Sequence, residues 1–359
     1  MHIPDGYLSP STCATLYAGA IAGWYAALQR LKRALLSRMV PLISVFAAFA
    51  FVVMMFNLPL PGGTTGHAVG VTIAAIVLGP SGAILAISIA LAIQALFFGD
   101  GGITTLGANC FNMAIVGSLV AYGSYRLIAA GSSIASKRRI VAAAVAGYLA
   151  VNAAAFVAAI EFGIQPALFH DASGTPLYAP YPFRVALPAM MIGHLTLAGL
   201  AEAVISAGLV AYLQVSDPAL LQGTSGIAIG GAGAPASGRA VTSQRRLWLA
   251  VGLLMLLTPL GILAAGKAWS EWSPAEFAVA GSQAQAAAAA TMPAATIPTG
   301  LQRLANLWTA PFPAYAPTFV KSTAFGYLLS AMFGVGFLLS SSLLVQRYLE
   351  RRRTTRYWG

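Results

Sequence analysis

The chain begins Met1-His2-Ile3-Pro4-Asp5-Gly6-Tyr7-Leu8-Ser9-Pro10, a polar, turn-rich stretch placed directly ahead of a long apolar run. A secretory leader would show a basic region, an apolar core and a small-residue cleavage site in that order, and this order is missing. We therefore expect the mature chain to keep Met1 and to present a free α-amine next to the imidazole of His2. The alternative is an ordinary frayed terminus.

A free amine followed by histidine forms a metal chelator. The Met1 amine and the His2 amide nitrogen close a five-membered ring on a metal, and the His2 amide nitrogen and Nδ1 close a six-membered ring. A fourth nitrogen completes a square-planar set, which is typical of Ni(II) or Cu(II). The predicted fourth donor is His67, in the Gly-rich stretch Gly62-Gly63-Thr64-Thr65-Gly66-His67. The alternative for this histidine is a structural or helix-start role.

The composition is that of a polytopic membrane protein. Charged residues make up 8% of the chain and hydrophobic residues 58%, whereas soluble domains have about 25% charged residues. The formal net charge of +11 raises the question of nucleic acid. However, the basic residues lie in short loops between apolar runs, a pattern that orients proteins in a lipid bilayer, so we expect no nucleic-acid partner.

The apolar runs predict an all-α protein with a first bundle of seven spans, because a helix needs about 20 apolar residues to cross a bilayer. The runs lie near residues 8–31, 39–56, 67–78, 84–98, 104–130, 140–162 and 185–213. The third run stops at Gly79-Pro80-Ser81-Gly82 and covers only about 18 Å as a helix. We expect it to be short or broken, with the fourth run returning to the side of His67.

A second module is predicted after a linker. Residues 215–244 are small and lack periodicity, as in a cytoplasmic linker. They separate a metal-binding part, residues 1–214, from a module of two spans, residues 245–359, with spans near 247–265 and 320–346. In this topology 16 of the 20 Lys and Arg residues are cytoplasmic, which predicts an outside N-terminus and a cytoplasmic C-terminus.

Two motifs, MHIPDGYLSP and GGTTGHAVG, resemble the substrate-binding S components of energy-coupling-factor (ECF) nickel and cobalt importers, the CbiM/NikM family. The resemblance implies that Met1, His2 and His67 surround the ion. It also implies a cell-membrane location and two kinds of partner, a transmembrane T component and cytoplasmic ABC ATPase subunits.

Two further motifs resemble the NikN component, here fused behind the NikM-like part: Trp269-Ser270-Glu271-Trp272 and Leu307-Trp308-Thr309-Ala310-Pro311-Phe312-Pro313-Ala314-Tyr315. The fusion favours Ni²⁺ as the transported ion, with Co²⁺ as the alternative. The alternative for the Trp and Tyr residues is an interfacial aromatic belt.

Other polar residues are candidates for supporting roles. Five of them could orient His2 or His67 by hydrogen bonds: Asp100, Asn109, Asn112, Thr64 and Thr65. The alternative for each is a solvated loop position or simple helix packing. His194 and Glu202 lie inside the seventh span, where ionisable groups are expensive and often functional. They are candidates for the ion path or for docking a partner subunit, with interhelical packing as the alternative. His170 is expected to be a solvated loop residue.

An enzyme is not predicted. Gly261-Ile262-Leu263-Ala264-Ala265-Gly266-Lys267-Ala268 nearly matches a phosphate-binding loop, but it lacks the Ser or Thr hydroxyl and the strand-to-helix context. A membrane zinc enzyme using His67 and His194 is the rival hypothesis, although the paired-histidine patterns of such enzymes are missing. Cys13 and Cys110 have no metal or redox spacing and are expected to pack.

Overall fold

The fold is a helical bundle, described by a computed structural model for residues 1–31, 39–60, 64–224, 237–263, 273, 275 and 297–356. The helices are α1 (Pro10–Leu31), α2 (Met39–Met54), α3 (Val71–Phe98), α4 (Leu106–Ala129), α5 (Lys137–Leu168), α6 (Phe183–Ser216), α7 (Ser237–Leu257), α8 (Thr299–Leu304) and α9 (Thr323–Arg356). A small antiparallel hairpin, β1 (Leu58–Leu60) and β2 (Thr64–Gly66), leads to His67. Apart from this hairpin, the expected helical class is confirmed.

Helix α3 reverses direction at Gly79. This glycine has φ 72° and ψ 171°, a conformation that is open almost only to glycine. His2 lies within hydrogen-bonding distance of both His67, before α3, and Asp100, after it. A straight helix of this length would place those two residues about 40 Å apart. The prediction of a short helix followed by a returning one is therefore confirmed.

The bundle has the surface of a membrane protein. Within the part of the chain that the structure describes, five helical segments are long and apolar enough to cross a bilayer: Val71–Phe98, Leu106–Ala129, Lys137–Leu168, Phe183–Ser216 and Thr323–Tyr348. Two shorter apolar helices are Met39–Met54 and Leu247–Ile262. Large apolar side chains such as Leu200 and Val204 on α6 are exposed, as expected for contact with lipid. These segments do not by themselves establish seven plus two crossings, and that count stays a prediction.

The C-terminal module packs on the first bundle. Helices α7 and α9 both contact α2, and the chain between α8 and α9 lies against the end of α3. The predicted linker is ordered at both ends, because Pro218–Thr224 form a 3-10 turn and α7 begins at Ser237. Residues 225–236, the tryptophan motif at 269–272 and Lys267 of the near-match to a phosphate loop lie outside the described residues.

Three π-helical turns interrupt the long helices. They are Gln94–Phe98 at the end of α3, Cys110–Val116 in α4 and His194–Ala198 in α6. Such turns are rare and occur frequently at functional sites. Two of them begin with polar residues, Gln94 and His194, that are buried near the N-terminus.

Candidate metal site at the N-terminus

The first three residues are buried, which does not fit a frayed terminus. Met1, His2 and Ile3 are 3%, 1% and 0% exposed. Asn109 on α4 binds Ile3 in both directions: the Ile3 N–H donates to Asn109 Oδ1 at 2.9 Å, and Asn109 Nδ2 donates to the Ile3 carbonyl at 3.1 Å. The Gly102 N–H donates to the same carbonyl at 3.0 Å. These three hydrogen bonds tie Ile3 to α4 and to the loop before it, so the N-terminal residues are fixed in the fold.

Asp5 fastens the next residues to the loop before α4. Its carboxylate accepts the N–H groups of Ile103, at 3.1 Å, and Thr104, at 2.7 Å, and also the Thr104 hydroxyl. A Cβ atom at Gly102 would lie 2.3 Å from the backbone nitrogen of Asp5. The two segments approach so closely that residue 102 must lack a side chain.

His2 and His67, the two histidines predicted as ligands, face each other through one ring nitrogen each. His67 Nδ1 lies 3.0 Å from the Ala68 carbonyl, so Nδ1 carries the proton and Nε2 keeps its lone pair. Nε2 lies 3.1 Å from His2 Nδ1. Zinc–imidazole bonds of about 2.0 to 2.1 Å would separate neighbouring corners of a square by about 2.9 Å. The observed spacing therefore fits one edge of a planar site.

Burial keeps both imidazoles neutral. It lowers the pKa of His2 to about 3, and the charge of the terminal amine acts in the same direction, whereas Gln94 opposes it. Burial also lowers the pKa of His67 well below its ordinary value, aided by His2 and the amine. A metal ligand must be unprotonated. Each neutral imidazole carries a single ring proton, which for metal binding need only sit on the nitrogen that does not face the metal.

Asp100 borders the two histidines. Its Oδ1 lies 3.1 Å from His2 Nδ1, and its Oδ2 accepts a hydrogen bond from the Tyr315 hydroxyl at 2.5 Å. Burial raises the pKa of Asp100, while the hydrogen bond from Tyr315 and the charge of the amine oppose that shift. Asp100 is therefore placed to orient His2, one of the roles proposed for it from the sequence.

Glu202 holds the loop that carries His67. This fully buried carboxylate on α6 accepts the N–H groups of Val69, Gly70 and Thr72 at 2.8, 2.9 and 3.3 Å. These N–H groups form the start of α3, where a helix favours a negative charge. Glu202 therefore positions residues 67–70 by a contact that depends on the fold and has no sequence signature.

The other candidates lie at greater distance or play other parts. Asn112 donates to Glu161 Oε2 at 2.8 Å and contacts neither ligand histidine through that bond. His194 is buried, donates from Nδ1 to the Met190 carbonyl at 2.8 Å, and lies near enough to His67 to affect its pKa. The exposed His170 bonds the Asp171 carbonyl, as expected for a loop residue. The side chains of Thr64 and Thr65 lie outside the described part of the chain.

Sequence reasoning missed how Tyr315 and Gln94 meet Asp100. Tyr315 lies in the motif of the C-terminal module and is 5% exposed, so it is a buried residue and not part of an aromatic belt. Gln94 Nε2 donates to the Tyr315 hydroxyl at 2.9 Å and lies 3.3 Å from Asp100 Oδ2. In the sequence, Tyr315 stands out only as part of the NikN-like motif. The aromatic residues of that motif are explained equally well as an interfacial aromatic belt.

Comparison with known proteins supports a metal-transport role. The chain is 52% identical over 343 residues to the fused nickel transport protein NikMN of Rhodobacter capsulatus, covering 95% of each chain. It is 42% identical to the probable fused nickel transport protein LarMN of Lactiplantibacillus plantarum, over 77% of this chain and 79% of that one. It is 30% identical to the cobalt transport protein CbiM of Geobacter sulfurreducens, over 76% of this chain and 74% of that one.

Two solved structures resemble part of the chain. A crystal structure of a transition metal transporter is 50% identical, with a TM-score of 0.57, and the match covers 60% of this chain and 92% of that one. A truncated transition metal transporter is also 50% identical, with a TM-score of 0.56, over 59% of this chain and 98% of that one. Both matches leave out about two fifths of the present chain.

The apolar bundle, its buried histidine pair and these relatives define a membrane protein of the transition-metal transport class. Residues 2–220 match the family described as CbiM, cobalt uptake substrate-specific transmembrane region, and the chain belongs to that family. The fusion of a CbiM/NikM part to a NikN-like module, expected from the motifs, is confirmed by the match along almost the whole of the R. capsulatus protein.

Proposed function

We propose that the chain is the substrate-binding S component of an ECF importer for Ni²⁺, located in the cell membrane. The observation that carries this proposal is the spacing of 3.1 Å between His2 Nδ1 and His67 Nε2, both buried next to Met1. The four proposed donors are the Met1 amine, the His2 amide nitrogen, His2 Nδ1 and His67 Nε2. Only two side chains are needed, because the other two nitrogens belong to the backbone.

Charge balance supports binding in this buried place. Nickel carries two positive charges, the ionised amide offsets one of them, and the other three nitrogens are neutral. A carboxylate at Asp100, 3.1 Å from His2 Nδ1, offsets the second. Uncompensated charge in a buried site costs several kcal/mol, about the cost of removing one partner of a buried ion pair. Asp100 thus lets the site hold the ion without an outside anion.

In the proposed cycle the ion is captured at the outer face and delivered inward. The N-terminus lies outside and the C-terminus in the cytoplasm, as the distribution of basic residues indicates. A transmembrane T component and cytoplasmic ABC ATPase subunits supply the energy, and the chain itself catalyses no reaction. The names of the fused relatives favour Ni²⁺, and those of more distant relatives make Co²⁺ the alternative substrate.

The test is to extend the chain at one end or the other. Residues added before Met1 turn the amine into an amide and should abolish Ni²⁺ binding, whereas the same tag after Gly359 should leave it unchanged. Calorimetry with Ni²⁺ on detergent-purified protein measures both affinities, and titration with Co²⁺ ranks the two ions. Equal Ni²⁺ affinity in the two tagged proteins would remove the N-terminal chelate from the proposal.

The electronic spectrum of the metal-loaded protein tests the rival enzyme hypothesis. A planar nickel chromophore that disappears with the N-terminal tag supports the transport site. A tightly held zinc ion that survives the tag and depends on His67 and His194 would support a metalloenzyme instead.

A further inference from the structure

The C-terminal module covers the end of the bundle where the N-terminus is buried. The Gly300 N–H donates to the Leu177 carbonyl at 2.7 Å, and the Phe312 N–H donates to the Phe97 carbonyl at 2.9 Å. Gly6 has φ 89°, and a Cβ atom there would lie 2.8 Å from the backbone of Leu301. The module therefore touches both the N-terminal segment and the end of α3.

Tyr315 is the residue of this module that reaches the polar groups around His2. Its hydroxyl donates to Asp100 Oδ2 at 2.5 Å and accepts from Gln94 Nε2 at 2.9 Å. Its ring stacks on Phe98 with centroids 4.8 Å apart. One side chain thus fixes a carboxylate and a carboxamide that both come from the first bundle.

Asp100 contacts the His2 ring, and Gln94 contacts Asp100. Asp100 Oδ1 is 3.1 Å from Nδ1. His2 Nε2 and Gln94 Oε1 are both buried without a hydrogen-bond partner among the described residues. When Nδ1 binds a metal, Nε2 carries the proton, and the unpartnered Gln94 Oε1 is available to accept it. Partners of this kind orient a ligand histidine.

The backbone around Tyr315 is held in a costly conformation. Ala314 and Tyr315 both have positive φ, 51° and 59°, a region that side-chain-bearing residues avoid. The Tyr315 carbonyl is fixed by the Ser330 hydroxyl at 3.0 Å. Such outliers persist only where the surroundings impose them, and they cluster at functional sites.

From these contacts we propose that Tyr315 is a positioning residue through which the C-terminal module sets the nickel affinity of the first bundle. The inference rests on the proposed chelate, because Tyr315 acts on it only through Asp100 and Gln94. With the hydroxyl in place, Asp100 keeps its carboxylate beside Nδ1, where it acts on the bound metal by charge because a metal-bound Nδ1 has no proton to donate, and Gln94 keeps Oε1 available to the proton on Nε2. Without it, both side chains lose the bond that orients them.

A double-mutant cycle tests this inference in the full-length chain. Tyr315→Phe should weaken Ni²⁺ binding about 10-fold, as is typical when a partner of a metal ligand is removed. Asp100→Asn should weaken it as well, and the double variant should lose less affinity than the product of the two single losses, because only the part of the Tyr315 effect that runs through Gln94 remains. The matched control is Tyr327→Phe, which removes another buried hydroxyl of the module, bonded to the Met55 carbonyl at 3.3 Å.

The outcomes separate this inference from the function on which it depends. If the untagged protein binds Ni²⁺ and a tag before Met1 abolishes binding, the chelate stands. If Tyr315→Phe then behaves like Tyr327→Phe, or if its effect adds fully to that of Asp100→Asn, the role of Tyr315 is wrong. An equal loss of thermal stability in the two tyrosine variants, with lost affinity in only one, supports positioning over packing.

Discussion

Replacing Glu202 by glutamine gives a sharp prediction about how the His67 loop is held. Glutamine keeps the size of the side chain but loses the charge and replaces one acceptor oxygen with an NH₂ group. Three backbone N–H groups now share the Glu202 carboxylate, at 2.8 to 3.3 Å. At least one of them must lose its acceptor. Hydrogen bonds to charged groups contribute about 1.5 to 3 kcal/mol, so we expect the ordered loop to lose about that much.

This loss converts directly into metal affinity. Nickel binding must restore the loop geometry before His67 Nε2 can complete the plane, and each 1.4 kcal/mol corresponds to about a tenfold change in affinity. We therefore expect Glu202→Gln to weaken Ni²⁺ binding about 10- to 100-fold. Calorimetry measures this affinity, and the melting temperature of the metal-free protein reports global stability in parallel.

Glu161→Gln is the matched control. Glu161 is also a buried glutamate in a neighbouring helix, but its side chain bonds Asn112 and not residues 67–72. If the two variants lose Ni²⁺ affinity equally, the effect is a general consequence of replacing a buried glutamate. If Glu202→Gln binds Ni²⁺ within twofold of the unmodified protein, the loop does not need the carboxylate, and the reasoning from its three bonds fails.

Two other predictions concern the orientation of the chain in the membrane and the packing of its N-terminal residues against Gly102. A reporter fused after Gly359 should be active only in the cytoplasm, because most basic residues fall on one side of the topology, and outside activity would contradict the outward-facing site. Gly102→Ala should weaken Ni²⁺ binding more than 10-fold, because its Cβ would lie 2.3 Å from the Asp5 nitrogen and push the N-terminal segment away. The control for that binding measurement is Gly123→Ala, because an added Cβ there would meet no group outside its own helix backbone within 4 Å. This variant should match the unmodified protein.

The sequence predicted those features that depend on the composition of a single segment. The apolar runs located the long helices to within a few residues at most ends, because membrane spans are long and strongly apolar. The break at Gly79-Pro80 was readable for the same reason, since both residues disrupt a helix locally. The linker was less readable: small residues such as those at 237–244 do not exclude a helix, and α7 begins there.

The site was readable only in part. Met1 and His2 stand next to each other, so their chelate geometry follows from bond lengths alone. The approach of His67 needs the reversal of α3, and the contact of Glu202 with Val69 and Gly70 needs the packing of α6 against that reversal. Tyr315 comes from another module altogether. Polar contacts made across such distances in sequence leave no local pattern, because each residue alone reads as an ordinary packing or interface residue.

The arrangement also bears on how a nitrogen site could favour nickel. Affinity alone would favour copper, because Cu²⁺ lies above Ni²⁺ in the order of divalent-metal stability. A mobile Met-His terminus would simply follow that order. Here Asn109, Gly102 and Asp5 hold the N-terminal residues, Glu202 holds the loop of the proposed fourth donor, and Asp100 contacts the His2 ring. A donor set fixed in one plane penalises ions that prefer a tetrahedron, such as Zn²⁺, but it admits both Ni²⁺ and Cu²⁺. We therefore expect these contacts to supply selectivity against tetrahedral ions, whereas the discrimination between Ni²⁺ and Cu²⁺ has to come from supply and access.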